Sequence, residues 1–241
     1  MTRPASRRRF TWRSTAGRTP RAHRMDHALD AFAEFVGAPA VGAARILVGD
    51  WCDLDTLAPM FEVFNPQPAL DRPDLLAPST YETVRAYLPD VQVFEIDPTI
   101  SDTEALCAAY DQPLDVMGNA VLVAGKREGI EYRACCLVLA NRRLDVNNVV
   151  RKRLGVHKAS FMPMDQAVAG SGMEYGAITP VGLDDTWPIW LDATVAAVPS
   201  LVIGAGVRRA KLILPGADLL RLPTAALVED LTRPMPPPAA D

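Results

Sequence analysis

The stretch Gly172-Met173-Glu174-Tyr175-Gly176-Ala177-Ile178-Thr179-Pro180-Val181-Gly182-Leu183 sets three glycines and one proline around a mixed apolar and polar segment. Glycine lets the main chain approach a neighbour closely and take φ > 0, while Pro180 fixes its own φ and drives Thr179 toward extended geometry. The segment reads as a stiff loop that can bring bare backbone amides to a ligand. A tight turn with a purely structural duty accounts for the glycines as well. The succession of elements downstream is the second signal. Trp187-Pro188-Ile189-Trp190-Leu191-Asp192 reads as a strand ending in a carboxylate. Leu201-Val202-Ile203-Gly204-Ala205-Gly206-Val207 reads as an apolar strand broken by two glycines, and after it come Lys211-Leu212-Ile213-Leu214 and a helix-like segment at 215–220.

Upstream, Ala120-Val121-Leu122-Val123-Ala124 and residues 132–140 are apolar strands joined through Lys126-Arg127-Glu128-Gly129, a hairpin with glycine at its left-handed position. Asp145 caps a helix with Val146, Val149, Val150 and Leu154 on one face, closed by Gly155. Its last turn holds Arg151, Lys152 and Arg153, which complement the helix dipole and alternatively grip RNA phosphates. Ser79-Thr80-Tyr81-Glu82 and Ser101-Asp102-Thr103-Glu104 are capping boxes opening helices to Leu88 and through Tyr110, with a half-buried strand at 91–96 between them. Asp26 opens an earlier helix that Gly37 stops. Five prolines from Pro59 to Pro78 leave no regular element there, giving an irregular linker or lid. Strands and helices without strict alternation indicate an α/β (α+β) domain on a mixed sheet.

An apolar fraction of 49% is enough for a sizeable core in 241 residues, and no run approaches the length of a membrane span. Residues 1–24 carry eight arginines and no acid, so the net −4 of the chain leaves −12 on the remainder. Such an acidic body does not suit a broad nucleic-acid surface, and any RNA contact is local. Ser6-Arg7-Arg8-Arg9-Phe10 looks like a twin-arginine signal, but no apolar region comes after it, so export is not expected. Residues 1–24 read as a disordered basic tail, with Met25 an alternative start, and 232–241 as a second tail. Cys52, Cys107, Cys135 and Cys136 read as reduced thiols of a cytoplasmic protein. Cys135 and Cys136 are neighbours in a strand and face opposite ways.

His23, His27 and His157 lack ligand spacing, and neither a serine elbow nor a phosphate loop is present. Neither a metal nor another cofactor is expected. The ordered set of loop, carboxylate-ended strand and G-x-G strand resembles the YbaK family, small domains that hydrolyse mischarged aminoacyl-tRNA, free-standing or inserted in prolyl-tRNA synthetase. The likeness covers residues 101–231, and Gly176-Ala177-Ile178-Thr179-Pro180 sits where the family carries its G-x-x-x-P substrate loop. It implies a mixed, partly barrel-like sheet with flanking helices, preceded by an extension at 25–100. It also implies the tRNA acceptor end as partner, with an aminoacyl-tRNA synthetase as a further candidate and no membrane.

An aminoacyl ester is already activated, so the protein need only hold it, polarise its carbonyl with amides and exclude bulky groups. On the family pattern, residues 176–180 line the pocket, Asp192 accepts from ribose hydroxyls or orients water, and Gly204 and Gly206 admit the terminal adenosine. Asp192 as a plain helix cap is the other reading. Thr179 can bond the substrate amine, and Met173 and Tyr175 can set pocket size. The family places a lysine where this chain has Asn119, which donates hydrogen bonds but carries no charge. Lys126 and Lys158 are candidate substitutes for that charge, and both also read as ordinary surface lysines.

Overall fold

Adjacent strand residues point to opposite faces, and three buried clusters divide this protein's strands by that rule. The computed structural model describes residues 64–235. Its strands are β1 (Gln67–Pro68), β2 (Gln92–Glu95), β3 (Gly118–Arg127), β4 (Ile130–Leu139), β5 (Arg142–Leu144), β6 (Ala159–Phe161), β7 (Ile189–Asp192), β8 (Leu201–Gly204), β9 (Ala210–Leu214), β10 (Ala225–Val228) and β11 (Thr232–Pro234). Its α-helices are α1 (Pro78–Tyr87), α2 (Thr103–Tyr110), α3 (Arg151–Leu154), α4 (Met164–Ser171) and α5 (Ala193–Ala196).

One sheet runs β1-β2-β9-β8, antiparallel throughout. The second runs β10-β7-β4-β3-β6, with β7 parallel to both β4 and β10 and the β3 pairings antiparallel. Leu201, Ile203, Leu212 and Leu214 of the first sheet meet Leu122, Cys135, Leu137, Ile189 and Leu191 of the second in one core. Behind the second sheet, Val123, Cys136 and Trp190 are covered by Val150 and Leu154. Behind the first, Phe94, Val202 and Ile213 are covered by Leu106 and Cys107 of α2. Cys135 and Cys136 fall in different clusters, as their adjacency requires. A parallel bridge from Met117 to Val202 joins the two sheets at the start of β3, so the sandwich is partly barrel-like.

Glu128 and Gly129 have φ of 54° and 80°, the two positive values that a two-residue turn of this hand needs between β3 and β4. Asp145 caps through the amide of Asn148, but residues Val146–Val150 form a π-helical turn before α3, which Gly155 ends in the left-handed region. The other two caps differ from the sequence reading. Pro78 takes the first position of α1 with Ala77 as cap, so Ser79 and Thr80 lie inside the helix. In α2 the cap is Asp102, one residue after Ser101, accepting from the amides of Glu104 and Ala105.

Two segments outside the 101–231 span also enter the sheets. Residues 67–95, placed in an extension by the sequence, supply β1 and β2 to the sheet that holds β8 and β9. Thr232–Pro234, placed in a tail, pair as β11 with β5. The helix expected from Asp26, both basic-tail readings and Cys52 lie outside the described residues. Among those described, no helix is long and apolar enough to cross a membrane.

Candidate functional site

Gly172 ends α4 with φ 67°, and the chain then runs along the end of β8. The Glu174 amide donates to the Gly206 carbonyl at 3.0 Å, and the Gly206 amide donates to the Ala177 carbonyl at 2.9 Å. Arg208 closes the other side. Its amide donates to the Glu174 carboxylate at 2.6 Å, and its guanidinium donates to the carbonyls of Tyr175 and Pro98. The loop is therefore held by main-chain bonds and one arginine, the stiff object that its glycines and Pro180 suggested.

Two glycines of β8 and its following turn are closely packed. A Cβ on Gly204 would collide with the Ala177 carbonyl, and one on Gly206 would run into Ala77, Thr80 and Met173. Both positions thus admit a close approach of the protein's own chain. The Ala177 amide donates to the Glu174 carbonyl at 3.0 Å, and the Thr179 amide meets the Met173 sulfur at 3.4 Å. Thr179 and Met173 are buried and brace the loop from below. The amides of Gly176 and Ile178 donate to no acceptor among the described residues. Glu174, Tyr175 and Gly176 are exposed, Ala177 is buried and Ile178 is half-buried, so residues 174–176 are the accessible part of this segment and Ile178 is reached only in part.

Beside this loop lies a charge that the sequence reading passed over. Lys211 is opposite Gly204 in the β8–β9 register, and opposed residues share a face. Its side chain therefore stands on the face that Ala177 and Ile178 cross. The ammonium is buried and donates to the Ser101 carbonyl at 2.8 Å. Burial pushes its pKa down to about 8, against an upward pull from Asp102 and a smaller downward push from Arg208. Ser101 is buried, its hydroxyl has no partner among the described residues, and that oxygen would lie 3.4 Å from a Cβ placed on Gly176. The clue in the sequence was a lone charge inside the apolar run Ala210–Leu214.

The remaining candidates are placed apart or engaged. Asn119 accepts from the Thr103 hydroxyl at 2.6 Å and ties β3 to the first turn of α2. Lys126 and Lys158 belong to the hairpin end of β3, where the Lys158 carbonyl abuts Gly125. At about 3.3 Å per residue that end of β3 is about 23 Å along the strand from Asn119. Asp192 is buried at the end of β7. It accepts from the Thr194 amide at 3.0 Å, from the Thr194 hydroxyl, and from the Thr232 hydroxyl at 2.8 Å. Both carboxylate oxygens are thereby used, one capping α5 and one linking β7 to β11, in keeping with the helix-cap reading. A cavity of about 190 Å³ is lined by Phe64, Gln67, Arg72, Leu75, Phe94 and Glu95 among others, and by no residue of 176–180. Among the described residues, no three His, Cys, Asp or Glu side chains are grouped to hold a metal.

A family model described as an aminoacyl-tRNA editing domain matches residues 97–222. One similar solved structure, provisionally described as a trans-editing enzyme for prolyl tRNA synthetase, is 19% identical, with 64% of this chain and 97% of that chain covered at a TM-score of 0.53. A second, a hypothetical protein, is 15% identical over 64% of this chain and 99% of its own, with a TM-score of 0.57. A scaffold used for epitope backbone grafting by computational design is 19% identical, with 64% and 97% covered and a TM-score of 0.55. At these identities the likeness is one of fold. No curated protein matches the chain.

Proposed function

The chain belongs to the aminoacyl-tRNA editing domain family, and on that premise we propose that it hydrolyses the ester of mischarged aminoacyl-tRNA in trans. The observation that carries this reading is a clamped loop with Tyr175 and Gly176 exposed and Ile178 half-buried, in which the Gly176 and Ile178 amides have no partner among the described residues. Such amides can polarise an ester carbonyl at little reorganisation cost, and one such donor is worth about 3 kcal/mol of barrier. The substrate's own ribose hydroxyl then assists the attacking water. Partners in this reading are the acceptor end of tRNA and, for delivery of substrate, an aminoacyl-tRNA synthetase. The negative charge on most of the chain keeps the RNA contact local to that end.

The test is amino-acid release from a panel of mischarged tRNAs at micromolar protein. Turnover of at least one member is expected, reduced tenfold or more by Gly176→Ala; a panel left intact by the wild type would sink the proposal. One observation favours a second reading, a binding module without turnover: Asn119, uncharged and engaged by Thr103, offers no cation to the substrate. Thermal stabilisation by aminoacyl-adenosine analogues with no hydrolysis of any tRNA would select it.

A further inference from the structure

Lys211 is a buried cation with one acceptor among the described residues. That hydrogen bond goes to the Ser101 carbonyl, so among the described residues two of the three ammonium protons have no acceptor and the group forms no ion pair. Buried ammonium groups are held in proteins by paired charge or by full hydrogen bonding, and Lys211 has neither. The second unmet group sits on the same residue that the lysine touches. Ser101 is 1% exposed, and its hydroxyl has no partner among the described residues although it can both donate and accept. That hydroxyl adjoins Gly176, whose Cα carries no side chain to cover it, and the Arg208 guanidinium lies 3.2 Å from the Cβ position of the same glycine. Two cations and an idle hydroxyl thus converge under the accessible part of the loop.

We infer that Lys211 and Ser101 form an anion-binding subsite beneath residues 176–178, whose ligand is a negatively charged oxygen of the aminoacylated RNA end. This inference rests on the deacylase reading for the identity of the substrate, though not for the existence of the subsite. The oxygen has two sources: the phosphodiester of the terminal nucleotide, or the oxyanion that forms on the ester carbonyl as water adds. A purely structural lysine, fixing the start of α2 through the Ser101 carbonyl, would leave binding and turnover of folded protein alone.

Lys211→Met and Ser101→Ala separate these cases. Methionine keeps the stem and removes the charge, and alanine removes only the unpartnered hydroxyl, so both variants should fold. They are compared with the wild type on a tRNA that the wild type cleaves. They are also compared in binding to 3′-aminoacylamido-adenosine 5′-phosphate and to its 5′-hydroxyl counterpart, neither of which can be hydrolysed. If the ligand is the phosphodiester, Lys211→Met raises KM and weakens the 5′-phosphate probe at least tenfold, leaving the 5′-hydroxyl probe unchanged. If it is the oxyanion, kcat falls about a hundredfold with KM and both probes unchanged. In that case the advantage of wild type over Lys211→Met also shrinks as pH rises through the lysine's titration, whose facing groups are Asp102, Cys107 and Arg208. Ser101→Ala should move the same quantity in the same direction by a smaller factor. A folded Lys211→Met protein equal to wild type in kcat, KM and both affinities overturns the subsite while the deacylase reading stands. A wild type that cleaves no tRNA, yet binds the 5′-phosphate probe through Lys211, keeps the subsite and overturns the hydrolysis.

Discussion

Gly176 has φ 81°, a conformation that an L side chain adopts at a cost of about 1–2 kcal/mol, and its Cβ would stand 3.2 Å from the Arg208 guanidinium. Gly176→Ala should therefore lower stability by about that amount in urea unfolding, in addition to its effect on turnover. Lys211 yields a prediction with a worked sign. Its folded pKa of about 8 lies below the 10.5 of an unfolded lysine, so the unfolded chain holds more protons between those values. The group's contribution to stability is thus at its worst below pH 8 and improves as pH rises toward 10.5. Raising the pH from 7 to about 9.5 should stabilise the wild type relative to Lys211→Met by about 2 kcal/mol. Unfolding curves of both proteins at the two pH values check this. At pH 7 the methionine variant should be the more stable one, the familiar exchange of stability for a functional charge.

At the scale of elements, the loop at 172–183 and strand β8 depend on one another through Gly204. Gly204→Ala must push the Ala177 carbonyl away and should cost about 1–3 kcal/mol, with a loss of turnover larger than that of folded protein. Asp192→Ala makes the contrasting case. It removes the cap of α5 and the bond to Thr232, so a loss of about 1–3 kcal/mol is expected while kcat of the folded fraction stays at the wild-type level. A large fall in kcat at full folding would return Asp192 to the chemistry. Elements whose signals are local were legible from the chain. The β3–β4 hairpin, the Asp145 cap and Gly155 stop, and the strand ending at Asp192 need only neighbouring residues to specify them. The cap of α1 was misread because Pro78 competes for the first helical position, and α4 went unread because no side chain caps it.

At the scale of the whole molecule, β2 ties the segment just before the family-matched region into the sheet that holds β8 and β9. It pairs with β9 over four residues and buries Val93 and Phe94. Each fully buried apolar side chain of this kind is worth about 1.5–3 kcal/mol, a large part of an ordinary domain's roughly 5–15 kcal/mol. A fragment of residues 101–231, the span that the family likeness alone would delimit, should therefore fail to fold cooperatively. Dispersed amide signals from that fragment in solution would contradict the pairing of β2 with β9.

Residues 172–183 by themselves determined that a stiff loop exists, because glycine and proline act through the conformation of their own backbone. The alternation of β3 and β4 likewise determined which face each of their side chains takes. Only the tertiary structure decided what the loop touches, that Gly204 and Gly206 serve the protein's own packing, that Asp192 is engaged by Thr194 and Thr232, and that Lys211 lies beside Gly204. Those facts arise from strand register and sheet stacking between segments far apart in sequence, and the periodicity of any one segment carries no information about which partner it will meet.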